Sequence, residues 1–310
     1  MAFHAETWDS PTGATLCVRT AAPDDAPKAV IAIEHGMAEH CARYARFAEA
    51  LRTAGFAAVA HDHRGHGHTQ APDAGAMRFA RSKGAEKVLA DSAFVRERMR
   101  ETYPGVPVIA FGHSMGGLFA INAAIDEADR LAGVAVWNTN LTLGPALALM
   151  RTLVELEALF KGASKPSAIL HALTFAAWEK RFSETGTGYD WLSHIEAEVR
   201  AYADDPLCGA PASLSLWRDF TELSARAEAP KARKPMARDV PIHLAGGGED
   251  PATDDGTAVR KLADRLSREG FTDVTARIDA AARHETLNEI GHEAATADFI
   301  AWAQTCAARG

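Results

Sequence analysis

Residues 106–117 read VPVIAFGHSMGG. The first six are apolar and β-prone, the next five are Gly112-His113-Ser114-Met115-Gly116, and a helical pattern runs on from 115 to about 127. A G-x-S-x-G between a strand and a helix is the setting in which a serine sits on a sharp turn above the end of a sheet. Such a turn strains the serine backbone, and only small neighbours leave room for it; Gly112 and Gly116 supply that room. The N–H of Met115 then faces the same space at the positive end of a helix, where an oxyanion would form. The alternative is a glycine-rich turn that happens to contain a serine.

Outward from this stretch, short apolar runs alternate with helical patterns. Upstream, residues 14–20, 29–34 and 57–61 read as strands and 41–53 and 82–103 as helices. The run at 29–34 is almost unbroken, as in a strand buried on both faces. Downstream, 132–137 is a strand. From 138 to 236 no convincing strand is found; helical patterns cover 146–160, 167–182, 190–202 and 213–228. Alternation resumes with strands at 240–245 and 272–278 and helices at 255–269 and 286–308. This order predicts an α/β domain, a mostly parallel central sheet flanked by helices, built from residues 1–137 and 239–310. Residues 138–238 are then a helical cap inserted over the catalytic edge.

A serine nucleophile needs a base, usually a histidine held by a carboxylate, and on this architecture the order is Ser, acid, His. Asp250 follows the strand at 240–245, in Gly246-Gly247-Gly248-Glu249-Asp250-Pro251; Glu249, Asp254 and Asp255 compete with it, with helix capping as their other role. His284 follows the strand at 272–278, ahead of the last helix; its rival His292 falls inside that helix.

The 310 residues carry a net charge of −8, which argues against a nucleic-acid partner. A chain of this length buries about 75% of its unfolded surface and needs no metal or disulfide staple. Cys17, Cys41, Cys208 and Cys306 are scattered, with no CxxC pair, and read as reduced thiols. No apolar run approaches a membrane span, and the first residues show no secretory signal, so a cytoplasmic protein is expected. His61, His63, His66 and His68 lie within eight residues and invite a metal, but polar side chains of a glycine-rich turn bracing a neighbouring loop are the stronger reading.

Together these residues resemble the α/β-hydrolase fold, and more narrowly the monoacylglycerol lipase and lysophospholipase family. Residues 35–44, HGMAEHCARY, and 62–69, DHRGHGHT, look like that family's segments, as do GHSMGG, the surroundings of Asp250, and Arg283-His284-Glu285. The likeness runs from about residue 31 to 292 and carries little into the insertion. It implies an oxyanion hole from the backbone N–H groups of Met37 and Met115, with Gly36 allowing close approach. It also implies that His35 is structural, and that Glu39, His40, Arg43 and Tyr44 brace the loop. The expected chemistry is acyl transfer to water, without cofactor or metal. The substrate is a small-molecule or lipid monoester, such as a monoacylglycerol or lysophospholipid. The segment 141–160 has more apolar residues than one buried stripe needs, so Leu143, Leu147 and Met150 are candidates to face an acyl chain. Short-chain esterases, thioesterases and amidases of the same fold remain open, as does a non-hydrolytic binder.

Overall fold

A computed structural model of the chain describes residues 3–182 and 184–309. Eight strands form one sheet: β1 (His4–Asp9), β2 (Thr15–Ala21), β3 (Val30–Glu34), β4 (Ala57–His61), β5 (Val108–His113), β6 (Gly133–Trp137), β7 (Ile242–Gly247) and β8 (Val274–Asp279). Their order is β1-β2-β4-β3-β5-β6-β7-β8. The pairs β1–β2 and β2–β4 are antiparallel, and every pair from β4 to β8 is parallel. The helices are α1 (Ala45–Thr53), α2 (Gly84–Thr102), α3 (Met115–Asp126), α4 (Pro145–Lys161), α5 (Ala168–Leu173), α6 (Phe175–Glu179), α7 (Glu196–Asp204), α8 (Leu214–Glu228), α9 (Thr257–Arg268) and α10 (His292–Ala307).

The inner parallel strands β3 to β7 are buried throughout and largely apolar because both faces are covered, whereas β8 at the edge is mostly exposed. Val30, Ala32, Val108, Ala110, Val134 and Val136 join one core with α2, α3, α8 and α9. Ile31, Ile33, Ile109, Phe111, Ala135 and Trp137 join the other with α1 and α10. This is the two-residue alternation of a strand, with each half of its side chains buried on its own face.

The chain leaves β3 toward β4 and then returns past β3 to β5, so β3 and β5 are neighbours whose following loops diverge. Ligands of open parallel sheets bind at such a switch point, beyond the carboxyl ends of the strands. Glu34 is in register with Gly112. The loop after β3, with Met37, therefore stands beside the turn after β5, with Ser114.

The sequence reading omits β1, whose side chains are mostly exposed and which adds an antiparallel edge through β2. In the insertion, the single helix expected over 167–182 is broken at Thr174 into α5 and α6. The helix expected over 190–202 begins only at Glu196, leaving an irregular segment ahead of it. The final helix starts at His292 after a separate 3₁₀ turn, Thr286–Asn288. In the insertion, α8 packs on α2 and α3 as well as on α4, so it also completes the helical layer under the sheet.

Candidate active site

Ser114 lies between β5 and α3 with φ 54° and ψ −120°, a backbone conformation that a non-glycine residue holds only at a cost of roughly 1–3 kcal/mol. Its N–H donates to the carbonyl of Trp137 at 2.8 Å, and its carbonyl accepts from the Thr139 hydroxyl at 2.8 Å. The glycines beside it are required by space. A Cβ on Gly112 would stand 2.1 Å from the Gly116 carbonyl oxygen, and one on Gly116 would stand 2.0 Å from that of Glu34. The turn is thus wedged between β3 and α3, which holds the serine hydroxyl out over the sheet edge.

Asp250 follows β7 and is fully buried. Oδ1 accepts from the Ala252 N–H and from His284 Nδ1, both at 2.9 Å. Oδ2 accepts from the Thr253 hydroxyl at 2.9 Å and from Asn138 Nδ2 at 3.2 Å. Burial pushes this carboxyl up, but the facing His284 and the hydrogen bonds from His284, Asn138 and Thr253 outweigh it and hold the group below its ordinary value. With Nδ1 donating to Asp250, His284 turns Nε2 away from the carboxylate. His284 and Ser114 line the same cavity. Among the described residues no hydrogen bond joins the serine hydroxyl to the ring; such contacts often tighten only around a substrate. Of the competing acids, Glu249 reaches His194 at 3.3 Å and Asp255 meets Arg181 at 3.0 Å.

The loop after β3 reaches the serine closely. A Cβ on Gly36 would lie 3.3 Å from Ser114 Cβ. Met37 and Met115 both line the cavity, and among the described residues the N–H of neither is taken by another protein group. Glu39 shapes this loop: it accepts from the Gly36 N–H at 2.6 Å, Tyr44 OH at 3.0 Å and Arg43 Nη1 at 2.9 Å. Burial pushes Glu39 up, yet His113 and Arg43 draw it well below the usual carboxylate range. His35 accepts from the His63 N–H at 2.9 Å through Nε2 and donates from Nδ1 to the Gly36 carbonyl at 2.7 Å.

The cavity encloses about 850 Å³, its open mouth included. Ser114, His284, Met37 and Met115 line it, and Leu143, Met150, Phe175, Trp178, Trp191 and Trp217 are among its apolar lining. Leu147 is a correction to the sequence reading. It is 6% exposed and absent from the lining. Leu143 precedes α4, which begins at Pro145, and so does not follow its periodicity. Leu147 falls with Val154 and Glu157 on the stripe that α4 buries.

The structure brings in residues that the motifs did not mark. Asn138 bridges Asp250 to Thr286, whose hydroxyl donates to Asn138 Oδ1 at 3.0 Å. Asn138 has φ 51°, a conformation that asparagine tolerates better than most residues. The Trp191 ring packs on the His284 ring at 4.9 Å, and the Trp191 carbonyl accepts the His284 N–H at 3.3 Å. Asp205 accepts from His40 at 2.9 Å, and Tyr202 OH donates to the Ala38 carbonyl at 2.7 Å. The insertion therefore grips both loops of the site. A strained asparagine and an aromatic in an irregular segment leave no periodic signal to find them by.

Three groups of side chains have the donors for a metal: Cys17, Cys41 and Asp62; Glu34, His61 and His63; His40, Asp205 and Cys208. In the second, Glu34 already spends its oxygens on Arg96 at 3.0 Å and Ser92 at 3.0 Å, so a guanidinium stands where a cation's charge would be needed. His66 is turned to the Arg64 carbonyl and His68 is exposed, so the four histidines of 61–68 do not converge.

A family model described as serine aminopeptidase, S33 (Hydrolase_4) matches residues 25–291. The chain belongs to this family of hydrolases. Within it, the chain is 31% identical to a monoglyceride lipase of Rattus norvegicus over 202 residues, 63% of this chain. That match spans 57% of the rat protein. A monoacylglycerol lipase of Mycolicibacterium smegmatis is 27% identical over 90% of this chain and 89% of its own. The fold is that of a thermostable carboxyl esterase from Bacillus coagulans, with a TM-score of 0.86 over 99% of both chains at 23% identity. The S33 family assignment agrees with an eight-stranded α/β-hydrolase sheet and a site at its switch point. Among the described residues no helix is long and apolar enough to cross a membrane.

Proposed function

We propose that this S33-family protein is a serine hydrolase that cleaves carboxylic esters of monoacylated lipids, such as a monoacylglycerol or lysophospholipid. The observation that carries the reading is the convergence of Ser114 and the His284–Asp250 pair on one apolar-walled cavity. In this mechanism Ser114 Oγ attacks the ester carbonyl carbon while His284 Nε2 takes its proton. Asp250 keeps the tautomer and balances the imidazolium. The N–H groups of Met37 and Met115 receive the oxyanion, each worth about 3 kcal/mol in such sites. Collapse expels the alcohol, which takes the proton from His284. Water then repeats the sequence on the acyl-serine and releases the acid. The residues 138–238 act as the cap, placing Leu143, Met150 and the tryptophans along an acyl chain.

The relatives named as monoglyceride lipases support the substrate class. The family's aminopeptidase label fits this site less well. A peptide's α-ammonium would require an unspent carboxylate, and the lining carboxylates Glu39 and Glu285 are both paired with Arg43.

The test is a series of monoacylglycerols and p-nitrophenyl esters of increasing chain length, run on the protein and on Ser114→Ala. We expect activity to rise from acetyl to medium or long acyl chains, and the variant to fall by roughly a million-fold toward background. Activity confined to acetyl esters rejects the lipid reading. Full activity in the variant rejects the serine mechanism.

A further inference from the structure

His113 is the last residue of β5, beside the serine, and its ring is buried. Nε2 lies 3.0 Å from the backbone carbonyl oxygen of His284, and Nδ1 lies 3.4 Å from Glu39 Oε1. Both partners are acceptors with no proton to give. A neutral imidazole has one N–H and one lone pair. Either tautomer would therefore set a lone pair against an acceptor oxygen at close range, away from water. Only the doubly protonated ring donates at both ends.

Charge counting gives the same answer. The ionisable groups around the ring are Glu39, Arg43 and Tyr44 from the segment after β3, and Glu285 and the His284 ring from the loop after β8. Tyr202 of α7 covers the Arg43 guanidinium at 4.9 Å. Arg43 pairs with Glu39 at 2.9 Å and with both oxygens of Glu285 at 2.5 and 2.7 Å. Two buried carboxylates against one guanidinium leave an uncompensated negative charge, which is costly away from water. A positive His113 brings this cluster to neutrality.

We infer that His113 is a positioning residue held as an imidazolium, tying the backbone of His284 to the carboxylate that shapes the Met37 loop. The catalytic part of this inference rests on the function proposed above; the charge state does not. Burial alone pushes the ring down, but the hydrogen bond and charge of Glu39 and the charge of Glu285 outweigh it, so the pKa lies above the ordinary value. When the ring loses its proton at alkaline pH, one of the two bonds must break. The base and the oxyanion loop then lose their shared anchor.

The first measurement is a two-bond ¹H–¹⁵N spectrum of ¹⁵N-histidine-labelled Ser114→Ala protein. It is repeated with His113→Gln added, which assigns the signal. At neutral pH we expect the His113 ring to show both nitrogens protonated. A neutral-tautomer pattern under mildly acidic conditions overturns the inference even if the protein is a good esterase. The second is kinetic. Glutamine can donate only from its amide nitrogen and must set its oxygen against the other acceptor, so His113→Gln should lower kcat roughly 10- to 100-fold with little change in KM. It should also remove the alkaline fall in kcat that we expect of the wild type. An unchanged kcat and pH profile in a folded variant removes the positioning role. If no ester is hydrolysed by the wild type, the proposed function fails while the spectrum still decides the charge on His113.

Discussion

At the scale of single residues, the carboxylates and histidines of the candidate site are held by short hydrogen bonds, while the N–H groups of Met37 and Met115 are taken by no protein group among the described residues. Asp250 shows how the surroundings set chemistry. Four hydrogen bonds hold it ionised in a place where a lone carboxylate would take up a proton. Its folded-state value lies below the ordinary 3.8, so its ionised form stabilises the fold above that pH. The contribution is lost as pH falls through the depressed value. We expect Asp250→Asn to flatten this dependence: between about pH 5 and pH 2 the wild type should lose more of its urea midpoint than the variant. Equal losses would show that the carboxylate adds nothing to acid stability. The three proposed catalytic side chains were legible because each sits just beyond a strand end in a short motif. Asn138 was not, since its value comes from a neighbour 112 residues away along the chain.

Among the elements, α4 carries the clearest consequence. It buries Leu147, Val154 and Glu157 and leaves Leu149, Leu156, Leu159 and Phe160 exposed, the last two by 79% and 89%. Ile169 and Leu173 of α5 extend the apolar surface. A surface of this kind on the proposed cap suits substrates that arrive from an aggregated phase rather than as dissolved monomers. We expect Leu159→Ser with Phe160→Ser to change unfolding free energy by no more than about 0.5 kcal/mol, since neither side chain is buried. Turnover of a soluble short ester should stay as it was, while the rate on micellar monoacylglycerol falls. Equal effects on both substrates would show that the patch plays no part in lipid delivery. The excess of apolar residues in 141–160 pointed to this helix as two-sided. Which residues took which side depended on α4 packing against α8 and α5.

For the whole molecule, the governing feature is that β3 and β5 are adjacent and the chain diverges between them. That arrangement puts the Met37 loop and the Ser114 turn against each other, and the turn's glycines are the contact surface. Gly116→Ala would drive a methyl into the Glu34 carbonyl, pushing α3 from the sheet. We expect a loss of more than about 3 kcal/mol, seen as a large drop in melting temperature or as insoluble protein. A variant that melts with the wild type would mean the turn is looser than described. Seven of the eight strands, the mostly parallel sheet and the positions of the proposed nucleophile, acid and base just past strand ends were legible in the sequence alone. Unbroken apolar runs can only be buried on both faces, and strand-to-helix turns have few chemical solutions. Tertiary structure alone decided the exposed edge strand, the break of the inserted helices, the charge network around His113 and which inserted residues face the cavity. Those depend on partners brought from distant parts of the chain, whose contact energies leave no periodicity in the sequence that encodes them.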